Sequence, residues 1–143
     1  MERLNYYFDK ISRPFEPLAF WLLRLGLGIA FILHGLKKFP LPPEKMAKWF
    51  TKMGYAYPEF ITSSVAVGEL IAGVGIIVGG LFRSPIGNLI TRLSGGIIIV
   101  IMTGAFTIAH SDWFFSEKLF TSEQIFLFIL GTFFAIRGNR AWG

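Results

Sequence analysis

The stretch that decides the fold is Leu93–Ala109, which reads LSGGIIIVIMTGAFTIA and contains no charged residue. Extended back to Leu89 it gains one charge, Arg92, and reaches the length of about 20 apolar residues that a helix needs to cross a bilayer. Arg92 lies near the start of the run, from where its long side chain can reach the headgroups. We therefore expect a membrane-spanning helix at 89–109.

Three further apolar runs accompany it, at 17–36, 60–80 and 120–136. Hydrophobic residues make up 53% of the 143 residues and charged residues only 16%, whereas soluble domains carry about 25% charged residues. This composition excludes a disordered chain, collagen, a disulfide scaffold and a soluble enzyme fold. The sequence predicts an all-α integral membrane four-helix bundle, with a polar N-terminal segment at 1–14 and a single four-span domain at 15–143.

A short amphipathic helix is expected between the first two spans, at Pro43–Met53. Met46, Trp49, Phe50 and Met53 recur with the spacing of one helix face. A helix of this length rises about 16 Å, too little to cross, so we expect it to lie in the membrane interface. Aromatic side chains suited to anchoring at that interface occur in this region and in the loop after the third span: Trp49, Phe50, Tyr55, Tyr57 and Trp113.

The second run is rich in glycine. Gly75 and Gly79 have the four-residue spacing that allows two helix backbones to approach closely. We interpret this pair as packing within one bundle, with a dimer face as the alternative.

Two charged residues lie deep within the predicted spans, Arg24 in the first and Glu69 in the second. Charge inside a bilayer is costly, so such residues are functional candidates. Counted from the ends of two antiparallel spans, they differ in depth by about 6 Å. This predicts an Arg24–Glu69 ion pair, either as part of a site or only as a fixture of helix register.

Two histidines close the first and third spans, His34 and His110, with Asp112 nearby. Both are expected at the same membrane face, where imidazoles and a carboxylate suit the headgroup of a quinone; haem ligation is the less favoured alternative. In the structural alternative His34 bonds a neighbouring carbonyl and His110 is a solvated loop residue. Neither histidine has a second ligand one helical turn away, so no metal site is expected.

Charge and cysteine content limit the partners. The net charge is +5, but the basic residues flank apolar runs, which favours contact with lipid headgroups over nucleic acid. The chain has no cysteine, so it supplies no thiol chemistry. An even number of spans places both termini on one side, expected to be the cytoplasmic side.

Several short motifs, in this order and spacing, resemble the DoxX family of bacterial inner-membrane proteins. They are Leu22-Leu23-Arg24-Leu25, His34-Gly35-Leu36-Lys37-Lys38, Trp49-Phe50 leading to Gly54, Gly68-Glu69-Leu70, Gly79-Gly80-Leu81-Phe82-Arg83, the histidine after the third span, and Arg137-Gly138. The resemblance implies a four-helix membrane bundle in the bacterial inner membrane, associated with membrane redox systems.

The resulting functional hypothesis is a small subunit of a quinone-linked membrane complex that binds a lipid-soluble carrier near Arg24, His34 and Glu69. An elongated polar cavity opening near His34 is expected among the first three spans. The alternatives are a non-catalytic subunit that packs against a larger membrane complex and, least favoured, a small proton-coupled transporter. Whether the chain is an enzyme stays open.

Overall fold

A computed structural model describes residues 1–139 of the chain, and residues 140–143 of the predicted domain lie outside this range. The described residues form seven α-helices and no strand. Their bounds are α1 Glu2–Ser12, α2 Glu16–Leu36, α3 Glu44–Lys52, α4 Pro58–Leu81, α5 Pro85–Gly104, α6 Lys118–Thr121 and α7 Glu123–Arg137. The all-helical prediction is thus confirmed.

Prolines lie at the starts of the three longest apolar helices. Pro17, Pro58 and Pro85 lie in the first turns of α2, α4 and α5, where a missing N–H costs nothing. Ser84 additionally caps α5, because its Oγ accepts a hydrogen bond from the Gly87 N–H at 3.2 Å. The predicted polar segment 1–14 contains α1, whose residues are all exposed, and a 3₁₀ turn at Arg13–Phe15 joins it to α2.

Within residues 1–139, three helical segments are long and apolar enough to cross a membrane: Glu2–Leu36, Pro58–Leu81 and Pro85–Ala109. These support three of the four predicted spans. The fourth predicted span falls largely on α7, which has only 15 residues and rises about 22 Å. A four-span bundle is therefore not established by helix length and composition alone.

The helices that carry these runs pack in sequence order, α2 on α4, α4 on α5 and α5 on α7. α7 also contacts α2, where the rings of Phe20 and Phe134 lie 5.4 Å apart edge to face. Together they enclose one apolar core, made of Leu27, Phe31, Ala72, Ile76, Ile98, Met102, Phe106, Leu127 and Phe134.

Glycines set the closest of these contacts. A Cβ on Gly73 would lie 2.6 Å from the Gly28 carbonyl oxygen, so α2 and α4 touch backbone to backbone there. Gly75 and Gly79 face Ser94 and Thr91 of α5. The Gly75–Gly79 pair therefore packs within the chain, as predicted.

The predicted linker helix is present as α3, and it is neither an extended loop nor part of a span. Ala47 and Phe50 are its buried residues, and the helix packs against α4. Met53, predicted on the same face, is instead exposed, because the helix ends one residue earlier. The position of α3 at the lipid surface stays a prediction.

Candidate functional site

A cavity of about 320 Å³ lies where α2, α3, α4 and the end of α5 meet. Its walls are mainly apolar: Phe31 of α2 and Met102 of α5 belong to the core, and Met46, Trp49 and Phe50 line it from α3. Five polar side chains reach the same cavity: His34, Lys38, Glu69, His110 and Gln124. Ligand sites in proteins have this character, a concave apolar wall with a few convergent polar groups.

Lys38, which is partly exposed, and the buried Glu69 form an ion pair in this cavity. Lys38 Nζ lies 2.5 Å from Glu69 Oε2 and also donates to the His34 carbonyl oxygen at 3.3 Å. Glu69 is 4% exposed, and the lysine reaches it from the turn just after α2. A charge buried in a membrane segment is normally neutralised by a partner, and Lys38 is that partner here.

His34 connects the cavity to the surface of the molecule. Its Nε2 lies 3.0 Å from Oε1 of Glu123, the first residue of α7. His34 is half-buried, whereas the Glu123 side chain is 61% exposed. The pair therefore places an ionisable group of the cavity wall within ion-pair distance of a solvent-accessible carboxylate.

His110, which lines the cavity, follows a π-helical turn at the end of α5. Residues Ala105–Ala109 form a π-helical turn, and the His110 N–H closes it on the Ala105 carbonyl oxygen at 3.0 Å. The imidazole stacks on the Trp113 ring with 3.8 Å between centroids. His110 is therefore a packed, half-buried group rather than a solvated loop residue, and π-turns occur frequently at functional sites.

The predicted Arg24–Glu69 ion pair is wrong. Arg24 donates instead to the Ile76 carbonyl oxygen, to Thr91 Oγ1 at 3.1 Å and to Asn139 Oδ1 at 2.7 Å. Ile76 lies two helical turns, about 10 Å, beyond Glu69 along α4. Counting from span ends gave the wrong register, because the glycine contacts between α2 and α4, and not their ends, fix how the helices slide past each other.

The structure brings three of the five candidate ligand-binding residues into one cavity, His34, Glu69 and His110. Arg24 lies at the other end of α2, and Asp112 is exposed and does not line the cavity. A cavity does lie beside His34, as predicted. It does not extend to Arg24, and most of its wall is apolar and not polar.

Most of the predicted aromatic anchors lie at the cavity or pack against its lining residues, and one does not. Trp49 and Phe50 line the cavity, Trp113 stacks on His110, and Tyr55 packs on Phe50 with 5.0 Å between ring centroids. Tyr57 is exposed and precedes α4 with a left-handed backbone, φ 56°.

Sequence reasoning missed Lys38, Gln124 and Glu123. The flanking position of Lys38 favours a lipid contact, yet this lysine follows His34 by four residues, the spacing that places two side chains on one helix face. That spacing is the signal that could have found it. Gln124 and Glu123 lie near the cavity only because of how α7 packs against the other helices, and no local sequence pattern predicts that packing.

These features define a small helical membrane protein with a mostly apolar cavity whose lining includes the Lys38–Glu69 ion pair and two histidines. The family model described as DoxX matches residues 19–111, which include α3, α4, α5, most of α2 and the candidate site as far as His110. The chain belongs to the DoxX family. No curated protein and no solved structure matches it.

Proposed function

We propose that this DoxX-family protein binds a lipid-soluble carrier of the quinone class in the cavity between α2, α3, α4 and α5, as a small subunit of a quinone-linked membrane complex. The observation that supports the proposal is the cavity itself. Its volume of about 320 Å³ lies at the small end of the range for ligand sites and suits a ring headgroup.

The residues of the cavity fit the headgroup of such a carrier. A quinone headgroup is an apolar ring with carbonyl oxygens, so it needs apolar walls and a few hydrogen-bond donors. Lys38 and the two histidines are the donors, and Glu69 neutralises Lys38, so a neutral ligand would meet little net charge. A quinone supplies electron and proton transfer when bound, and His34 with Glu123 would exchange the proton with solvent.

We further propose that α7 is the fourth span and that both termini lie on the cytoplasmic side of a bacterial inner membrane. The two ends of α7 lie at different depths along α2. The Glu123 carboxylate, at its start, lies 3.0 Å from His34 Nε2, whereas Asn139, just after its end, accepts a hydrogen bond from Arg24. Those two α2 residues are about 15 Å apart along the axis, so α7 runs beside the apolar middle of α2.

Carrier binding is tested by filling the cavity. Gly104 lines it, and a Cβ at this position meets no atom within 4 Å, so Gly104→Leu adds a side chain without a backbone clash. Gly96 is equally open but does not line the cavity, which makes Gly96→Leu the matched control. The proteins are purified in mild detergent, and the bound lipids are extracted and quantified for quinone.

The proposal expects quinone in the wild type and in Gly96→Leu, and at least a severalfold loss in Gly104→Leu. Equal quinone in the two variants, or none in the wild type, contradicts it. A stoichiometric protein partner without any carrier would favour the non-catalytic subunit, and a visible absorption band would indicate haem.

A further inference from the structure

A second cavity, of about 620 Å³, lies at the opposite end of α2 from the candidate carrier site. Three of its lining residues are aromatic: Phe20, Trp21 and Phe82. Arg24 and Arg83 line it together with one carboxylate, Glu16. The ends of α2, α4 and α5 that meet here belong to one face of the bundle, where lipid headgroups lie if these helices span the membrane.

Arg24 is a buried cation without a full negative charge beside it. It is 1% exposed, and no carboxylate among residues 1–139 lies within ion-pair distance of it. Its three hydrogen bonds all go to neutral groups, the Ile76 carbonyl and the side chains of Thr91 and Asn139. A guanidinium has five N–H groups, so two have no hydrogen-bond acceptor within the described part of the chain.

Neutral partners compensate this charge only in part. The C-terminal carbonyls of α4 carry a partial negative charge, about half an elementary charge for a whole helix end. The rings of Phe20, Trp21 and Phe134 lie 5.3, 5.8 and 4.8 Å from the guanidinium carbon and add cation–π attraction. Buried charges in proteins are ordinarily paired in full, so an anion in the adjoining cavity would complete the set.

Two further features of the same cavity favour an anion. Arg83 contributes a second guanidinium, and α5 begins here, with Ser84, Pro85 and Asn88 in the lining. The Gly87 N–H of this helix start already donates to Ser84 Oγ and Pro85 has no N–H, so the contribution of α5 is the positive end of its dipole, which favours a phosphate group nearby. Against these, Glu16 contributes the one carboxylate among the lining residues within 1–139.

We propose that this cavity binds a phosphate group, either that of an anionic phospholipid headgroup or a free phosphate. Basic pockets between membrane helices recognise anionic headgroups in this way. The site is independent of the proposed carrier cavity, since the two share no lining residue. Arg24 supplies the buried charge, Arg83 the charge at the loop, and the aromatic walls hold the apolar part of a lipid.

The test measures thermal unfolding of the detergent-purified protein against three probes: phosphatidylglycerol, phosphatidylcholine and inorganic phosphate at constant ionic strength. Because substitution of Arg24 endangers folding, the exposed lining residues serve as variants. Arg83→Gln should raise the apparent Kd for the anionic probe about fivefold, the effect of one basic side chain at an anionic surface. Glu16→Gln should lower it, because the repelling carboxylate is removed.

Lys52→Gln is the control, since Lys52 is an exposed lysine on α3 and does not line this cavity. Saturable stabilisation by phosphatidylglycerol but not by phosphate identifies a lipid headgroup, and stabilisation by phosphate identifies the free anion. The proposal is overturned if phosphatidylglycerol acts no better than phosphatidylcholine and phosphate has no effect. It is also overturned if Arg83→Gln and Glu16→Gln respond like Lys52→Gln.

Discussion

The two charges buried in the apolar spans have different surroundings. Glu69 is neutralised by a full charge, the ammonium of Lys38, which reaches it from just outside α2. Arg24 is surrounded by neutral acceptors from α4, α5 and the segment after α7 and by aromatic rings of α2 and α7. An ion pair lowers the free-energy cost of burying Glu69, and neutral acceptors with aromatic rings lower that of burying Arg24. Removing the partners of one charge should therefore leave the surroundings of the other unchanged.

Removal of the Lys38 ammonium tests the first arrangement. Lys38→Met leaves the carboxylate of Glu69 buried without its partner, and we expect a loss of unfolding free energy of about 2 kcal/mol. This is below the 3–5 kcal/mol of a fully buried pair, because Lys38 is partly exposed. The double variant Lys38→Met/Glu69→Gln should recover most of the loss, since no charge remains. The measurement is thermal or denaturant unfolding in detergent.

A second ion pair provides the comparison. Lys48 and Glu44 lie 3.6 Å apart on α3 with both side chains more than three-quarters exposed. Lys48→Met should therefore change stability by less than about 0.5 kcal/mol. Equal losses in Lys38→Met and Lys48→Met would show that burial of the Lys38–Glu69 pair does not matter.

At the level of single residues, the sequence identifies which side chains are unusual but not what they contact. A charge or a histidine within an apolar run is visible directly, and Arg24, His34 and Glu69 were found in this way. Their partners come from helices far away in the chain. Glu69 and Arg24 could be paired by depth only if the register of α2 against α4 were known, and that register depends on side-chain packing.

At the level of helices, small residues decide how closely the elements pack. Gly28 and Gly73 join α2 to α4, and Gly95 with Gly131 joins α5 to α7. In a bilayer, helix association relies on such close packing because lipid is as apolar as the helix surface. Hydrophobic runs predict where these helices lie in the sequence, but only the matching of small residues across two helices sets their relative height.

Two neighbouring glycines on α5 allow the effect of close packing on stability to be measured apart from the effect of helix propensity. A Cβ on Gly95 would lie 2.5 Å from the Ala135 backbone nitrogen, whereas a Cβ on Gly96 meets nothing within 4 Å. Gly95→Ala should therefore destabilise the protein by about 1–3 kcal/mol through overpacking against α7. Gly96→Ala should be neutral or stabilising by up to about 1 kcal/mol, since alanine is the better helix former.

Unfolding of the two alanine variants under identical detergent conditions gives the comparison. If Gly95→Ala is as stable as Gly96→Ala, α5 and α7 do not meet as closely as described. The π-turn at Ala105–Ala109 illustrates the limit of sequence reasoning for helices, because its residues read as an ordinary apolar run.

For the whole molecule, the two cavities lie at opposite ends of α2 and differ in chemistry. The one at His34 has an ion pair and mostly apolar walls, whereas the one at Arg24 has an excess of positive charge in its lining. If α2 spans the membrane, one cavity opens toward each face. The orientation and the role of α7 then decide which face carries which site.

The sidedness of the chain can be measured directly because it contains no cysteine. Each introduced cysteine is then the only thiol, and its labelling by a membrane-impermeant maleimide in intact spheroplasts reports which side it occupies. We choose Lys10→Cys on α1, Lys52→Cys on α3, Lys118→Cys on α6 and a cysteine appended after the last residue.

If α2, α4, α5 and α7 all cross, Lys52→Cys and Lys118→Cys should be labelled together from outside. Lys10→Cys and the appended cysteine should react only after permeabilisation, which also serves as the control for reactivity. Labelling of the appended cysteine together with Lys118→Cys would show that α7 does not cross. The contacts of its two ends with His34 and Arg24 would then have to form in a helix that folds back within the membrane.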